Sequence, residues 1–161
     1  MDRTVIEKAE AQFGDDPSTA QTAPAVTATL VEGRARLSGG PFTWDSDLPP
    51  IIGGGSAAPS PTAYLLGALA GCAVAFIHDV LASQFDVVLD DISAVARCGS
   101  DLRGLLGMEG SDPKLTELSL EITIESSSER VDELREAWLE RCPIYLSLIE
   151  AANVEITWAD A

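Results

Sequence analysis

Two cysteines carry the chemistry that this 161-residue chain most readily suggests. Cys72 lies within a long apolar run, between Gly71 and Ala73, whose small side chains let another element approach the sulfur. Cys142 precedes Pro143 at a predicted helix start, where backbone N–H groups point back toward the sulfur and favour its thiolate. On residue type alone Cys72 also reads as a small core hydrophobe, and Cys142 as a helix cap. As a pair they suggest a reactive thiol and its resolving partner, although a separation of 70 residues does not by itself bring them together. The third cysteine, Cys98, ends a predicted strand and reads as structural.

The other reactive types add less. His78 is the single histidine, six residues after Cys72; on a helix that is about 600° of rotation, leaving the two side chains roughly 120° apart. Asp79 returns to nearly the Cys72 face but about 10 Å along the axis, so a Cys-His-Asp hydrolase within this helix is disfavoured. One His and three scattered Cys give no paired ligand spacing, so no metal site is expected. Gly53-Gly54-Gly55 is not followed by the residues of a phosphate-binding loop. Arg34, at a predicted strand start, is either a solvated surface group or a cation that would favour a nearby thiolate.

Composition narrows the partners. Ten basic against 26 acidic residues give a formal charge of −16, which repels nucleic acid and anionic lipid surfaces and suits a small neutral substrate. With 46% hydrophobic and 22% charged residues the chain reads as an ordinary globular domain. The odd cysteine count argues against a secreted disulfide scaffold, and residues 1–16 lack the apolar core of a signal peptide. The longest unbroken apolar run, Ala63 to Ile77, is 15 residues, short of the roughly 18–20 that span a bilayer. A cytoplasmic protein without membrane association is expected.

The elements that must position the cysteines read as α+β. Residues 1–24 form an extension, with a short amphipathic helix at Thr4–Phe13 and a linker at 14–24; residues 25–161 form the domain. Three strands follow at 25–31, 34–38 and 42–45, a β-meander turning at Glu32-Gly33 and Gly39-Gly40-Pro41. A proline- and glycine-rich loop then leads to Ser60 and Pro61, a cap and first-turn pair that open a helix to about Ser83, apolar almost all round and so buried on most sides. Strands are predicted at 87–98 and 115–125, the second alternating strictly through Leu118, Leu120, Ile122 and Ile124. Ser126 to Ser128 should cap a helix over 129–140 with Val131, Leu134, Trp138 and Leu139 inward. A second helix runs from Cys142-Pro143 to about residue 152, and Val154–Trp158 forms the last strand.

Three segments now carry a resemblance. The run from Pro61 to Cys72, PTAYLLGALAGC, resembles the helix motif of the OsmC/Ohr family, the osmotically induced and organic hydroperoxide resistance proteins. Arg141-Cys142-Pro143-Ile144 resembles the family's second cysteine motif, and Asp101-Leu102-Arg103-Gly104 is similar to a segment of some OsmC-like members. The order of elements agrees over about residues 25–158. The resemblance implies an OsmC-like fold assembled as an intertwined homodimer with two sites at the subunit interface. It implies a thiol-dependent peroxidase for organic hydroperoxides that needs no cofactor. Cys72 would become a sulfenic acid and Cys142 would resolve it to a Cys72–Cys142 disulfide, which a lipoyl-type dithiol reduces. Arg34, or alternatively Arg36, would hold the thiolate. Where the family's peroxidases place a glutamate after the motif's proline, this chain has Thr62, which cannot pair with an arginine; Asp45 or Asp47 are substitutes. Tyr64, Leu65, Leu69 and Phe76 are candidate pocket walls or core residues. The alternative is a dimeric stress or small-molecule-binding protein of this fold with little turnover, which the Thr62 difference favours.

Overall fold

The computed structural model describes residues 3–150 and 153–159. Helix α1 (Arg3–Asp15) leads into a meander of β1 (Thr27–Val31), β2 (Arg34–Gly39) and β3 (Phe42–Ser46), paired antiparallel in that order. Its two-residue turns rest on left-handed backbone: Glu32 and Gly33 at φ 49° and 81°, and Gly40 at φ 56° ahead of Pro41. The register sets Ala28, Leu30, Ala35, Leu37, Trp44 and Ser46 on one face, and Thr29, Val31, Arg34, Arg36 and Asp45 on the other. Among the described residues the first face is only partly covered: Ser46 is buried and Ala35, Leu37 and Trp44 are half-buried, while Leu30 is 82% exposed.

The next element is the long helix. α2 (Pro61–Phe76) starts where the sequence places it, with the Ser60 hydroxyl accepting from the Ala63 N–H and Pro61 at the first position. The chain continues through a π-helical turn, Ile77–Leu81, and ends in Ala82–Gln84. By length and composition alone the 24-residue span Pro61–Gln84 is apolar enough to cross a membrane, although the unbroken apolar run is shorter. Ala73, Ile77, Leu81 and Ala82 instead form one side of the core, against Val87, Leu134, Ala137, Trp138 and Cys142. The composition of the helix predicts burial on most sides, but within the chain only one side is covered. Ala63, Gly67, Gly71 and Ala75, spaced one turn apart, are exposed, and a Cβ at Gly67 or Gly71 would meet nothing within 4 Å.

β4 (Asp91–Gly99) and β5 (Thr116–Glu125) form a second antiparallel sheet, joined by a connection carrying the short helix α3 (Leu102–Leu105). Ile92, Ala94, Leu120, Ile122 and Ile124 turn toward the core, while Leu118 is exposed. α4 (Val131–Arg141) buries Leu134, Ala137 and Trp138, the i, i+3, i+4 spacing of one helix face. Leu139, expected inward, is 50% exposed, because it lies about 100° around the axis from Trp138. Ser126 and Ser128 do not cap this helix. The Ser126 hydroxyl donates to the Val88 carbonyl and the Ser128 hydroxyl accepts from the Val88 N–H, pinning the chain ahead of β4.

α5 (Pro143–Ile149) follows directly; its expected continuation over 151–152 lies outside the described residues. Residues 153–159 form no strand, and the alternating Val154, Ile156 and Trp158 are exposed, Trp158 to 90%. An alternating sequence becomes a strand only when it pairs with a neighbouring edge, and among the described residues this segment pairs with no strand.

Candidate active site

Cys142 sits at the joint between α4 and α5. Its N–H donates to the Trp138 carbonyl at 2.9 Å, closing α4, and its carbonyl accepts from the Leu146 N–H at 3.0 Å, opening α5. Its own backbone is extended, at φ −68° and ψ 111°. The joint presses the sulfur onto α2, where Cys142 Sγ donates a hydrogen bond to Cys72 Sγ at 3.4 Å and both remain free thiols. Cys142 is fully buried and Cys72 half-buried. The 70 residues between them are closed by packing of α5 on α2, so both sulfurs share one site.

Burial pushes the Cys72 thiol above its ordinary value of 9.0, and the adjacent Cys142 adds to the shift; the Ile144 N–H, from the first turn of α5, acts in the opposite direction. The neutral thiol is therefore the favoured form in this chain. A nucleophilic thiolate needs a cation or further N–H donors at the sulfur.

The arginines expected in that role stand on the meander. Arg36 donates from Nε and Nη2 to the two Asp45 carboxylate oxygens at 2.9 and 3.2 Å. Arg34 pairs with Glu32 at 3.1 Å and lies 3.4 Å from Asp45, the latter an ion-pair distance without hydrogen-bond geometry, so the buried Arg34 Nε–H has no hydrogen-bond partner. The Arg36 guanidinium holds the Asp45 carboxyl below its ordinary range. Asp45 is thus the carboxylate between the two meander arginines. Asp47 serves the backbone instead, accepting from the N–H groups of Leu48, Gly55 and Ala57 and organising the loop before α2.

Arg34 shares a cleft with Ala35, Ser46, Leu48 and Pro61 at the start of α2. Cys72 is eleven residues beyond Pro61, roughly 16 Å along the axis. Within one chain the structure brings Cys72 to Cys142 but leaves Arg34 and Arg36 with Asp45.

Tyr64 donates to the Asp45 carbonyl at 2.7 Å and so ties the meander to α2. Leu69 is buried, Leu65 half-buried, and Phe76 packs on the core. None of these four lines the apolar pocket of about 350 Å³ walled by Ile77, Leu120, Ile122, Arg135, Trp138 and Tyr145, nor the larger one, about 520 Å³, between the loop before α2 and α3. The alternation of β5 was the sequence signal for the smaller pocket, but its counterpart on α4 and α5 is visible only once the helices are packed. His78 is exposed, with Nδ1 2.7 Å from Asp79 Oδ1, and Cys98 is a half-buried free thiol. Among the described residues no cluster of three or more His, Cys, Asp or Glu could hold a metal.

A meander, a long central helix, a strand pair and two helices that seat one cysteine against another define a two-thiol protein of α+β type. Residues 53–158 match the family described as OsmC-like protein, and the chain belongs to that family. Solved structures agree on the fold. An OsmC-like protein from Mycoplasma pneumoniae superposes with a TM-score of 0.66 at 21% identity, covering 81% of this chain and 90% of its own. The organic hydroperoxide resistance protein OsmC from Legionella pneumophila, also described as a predicted redox protein, gives 0.59 at 18% identity, with coverage of 79% and 89%. An organic hydroperoxide resistance protein from Elizabethkingia anophelis gives 0.59 at 16% identity, with coverage of 84% and 92%. None of the curated proteins matches the chain.

Proposed function

We propose that this protein is a cytoplasmic redox stress protein that reduces small organic hydroperoxides with the Cys72–Cys142 pair. The observation that carries the reading is the 3.4 Å approach of two free thiols from distant parts of the chain. The Cys72 thiolate attacks one oxygen of the hydroperoxide. The O–O bond breaks, the alkoxide leaves as an alcohol after taking a proton, and Cys72 becomes a sulfenic acid. The Cys142 sulfur then attacks that of Cys72; the S–S bond forms, and the hydroxyl departs as water with the Cys142 proton. A small dithiol, lipoyl-type in the family, returns two electrons by exchange and restores both thiols. Names of the Legionella and Elizabethkingia proteins support hydroperoxide as the substrate class.

The active form is a homodimer. Three observations support it: the partly uncovered apolar face of the meander, the exposed small-residue row on α2, and a Cys72 thiol with no cation beside it among the described residues. A second copy laid along α2 would cover both surfaces and bring a meander arginine, Arg34 or Arg36, to the thiol. The raised Cys72 thiol also favours the alternative, a dimeric small-molecule-binding protein with little turnover.

One measurement separates the two readings. Free thiols are counted before and after one equivalent of tert-butyl hydroperoxide, and the product is mapped by mass spectrometry. Loss of Cys72 and Cys142 thiols with a disulfide between them within minutes supports the peroxidase. Full retention of thiols overturns it.

A further inference from the structure

Gln84, the last residue of the long helix, bridges α1 and the end of α4. Its amide nitrogen donates to Glu10 Oε1 of α1 at 2.6 Å, and its amide oxygen accepts from Arg141 Nη1 at 3.3 Å. Arg141 also stacks over the Phe85 ring at 5.9 Å, and Arg130 approaches that ring at 5.5 Å while donating to the Phe85 carbonyl. Arg141 is the residue before Cys142, so the joint that carries the resolving sulfur is anchored by its neighbour's side chain to Gln84 and, through Gln84, to α1. α1 lies outside the family-matched residues 53–158.

We propose that Gln84 is a positioning residue for Cys142, and that it couples docking of α1 to the thiol–disulfide state of the Cys72–Cys142 pair. The inference rests on the reading of these cysteines as a redox pair. Forming the disulfide requires the sulfurs to close from 3.4 Å to a bond length of about 2.05 Å. Cys72 is fixed in mid-helix, whereas Cys142 sits in the extended joint, so the joint moves and carries Arg141 with it. The Arg141–Gln84 bond, at 3.3 Å, is already near the long limit for a hydrogen bond, so that displacement would weaken it. The clamp therefore favours the dithiol, and by reciprocity the disulfide loosens α1.

The test uses the full chain with diamide as oxidant, a reagent that takes two electrons from the thiol pair, so that disulfide formation does not depend on peroxidase activity. Wild type, Glu10→Ala and Gln84→Ala are equilibrated in dithiothreitol redox buffers, and the Cys72–Cys142 disulfide is quantified by mass spectrometry. The equilibrium constant for oxidation should rise about three- to tenfold in Gln84→Ala, the worth of roughly one hydrogen bond. Glu10→Ala should rise less, because it keeps the Arg141 contact. Trypsin should also cut after Lys8 faster in oxidised than in reduced wild type. Constants within twofold of wild type for Gln84→Ala overturn the coupling while leaving the peroxidase reading intact. Failure of diamide to produce the disulfide in wild type overturns both.

Discussion

Cys142 Sγ, at the joint between two later helices, donates a hydrogen bond of 3.4 Å to Cys72 Sγ on the central helix, and both thiols are free. A direct hydrogen bond leaves no room for a water between the sulfurs. In the proposed cycle a sulfenic acid on Cys72 would form beside its resolving partner, and only the joint carrying Cys142 would have to shift.

Replacing the resolving sulfur should stop the cycle at its first product. Cys142→Ser treated with one equivalent of cumene hydroperoxide should accumulate Cys72 sulfenic acid, detected as a dimedone adduct by mass spectrometry. Wild type should give little adduct, and Cys72→Ser none. An adduct on Cys98 in place of Cys72 would reassign the reactive thiol.

Burial raises the folded-state Cys72 value above the ordinary 9.0. The unfolded chain then releases this proton at lower pH than the folded one. The contribution to stability is present below about pH 9, and is lost as pH rises through the folded-state value. In a Gly67→Leu background, where no second copy brings an arginine to the thiol, urea midpoints of the reduced protein should fall between pH 8.5 and 10.5 more steeply with Cys72 present than with Cys72→Ala. Equal slopes would show that the folded environment does not penalise the thiolate.

Leu134 is fully buried between the long helix and α4. Leu134→Ala should cost about 2–5 kcal/mol of unfolding free energy, measured by urea denaturation. Leu139→Ala, on the exposed flank of the same helix, should cost under about 1 kcal/mol.

Gly67 faces open space within the chain. Gly67→Leu should leave the fold of the single chain intact by circular dichroism but shift the protein toward monomer in sedimentation velocity. It should also reduce hydroperoxide turnover, since a meander arginine would no longer reach Cys72. A dimer undisturbed by this change would exclude the exposed face of α2 as the contact.

Much of the fold was legible in residue types. The meander was marked by Glu32-Gly33 and Gly40-Pro41, whose backbone permits few alternatives, and α2 by Ser60 and Pro61. Site geometry was legible only as a pair of suggestive cysteines, because the contact of Cys72 with Cys142 is made by packing across 70 residues. Leu139 and the 154–158 segment misled for one reason: alternation and helical spacing report that a face is apolar, but not what lies opposite it. Arg34 shows the same limit for charge. Its sequence position identified a cation, while its Glu32 and Asp45 neighbours come together with it only in the folded meander.

The complete seclusion of Cys142 has a chemical corollary for recycling. In the proposed cycle an incoming thiol would reach Cys72, the less buried of the two, so the mixed disulfide would form there with Cys142 expelled as the leaving group.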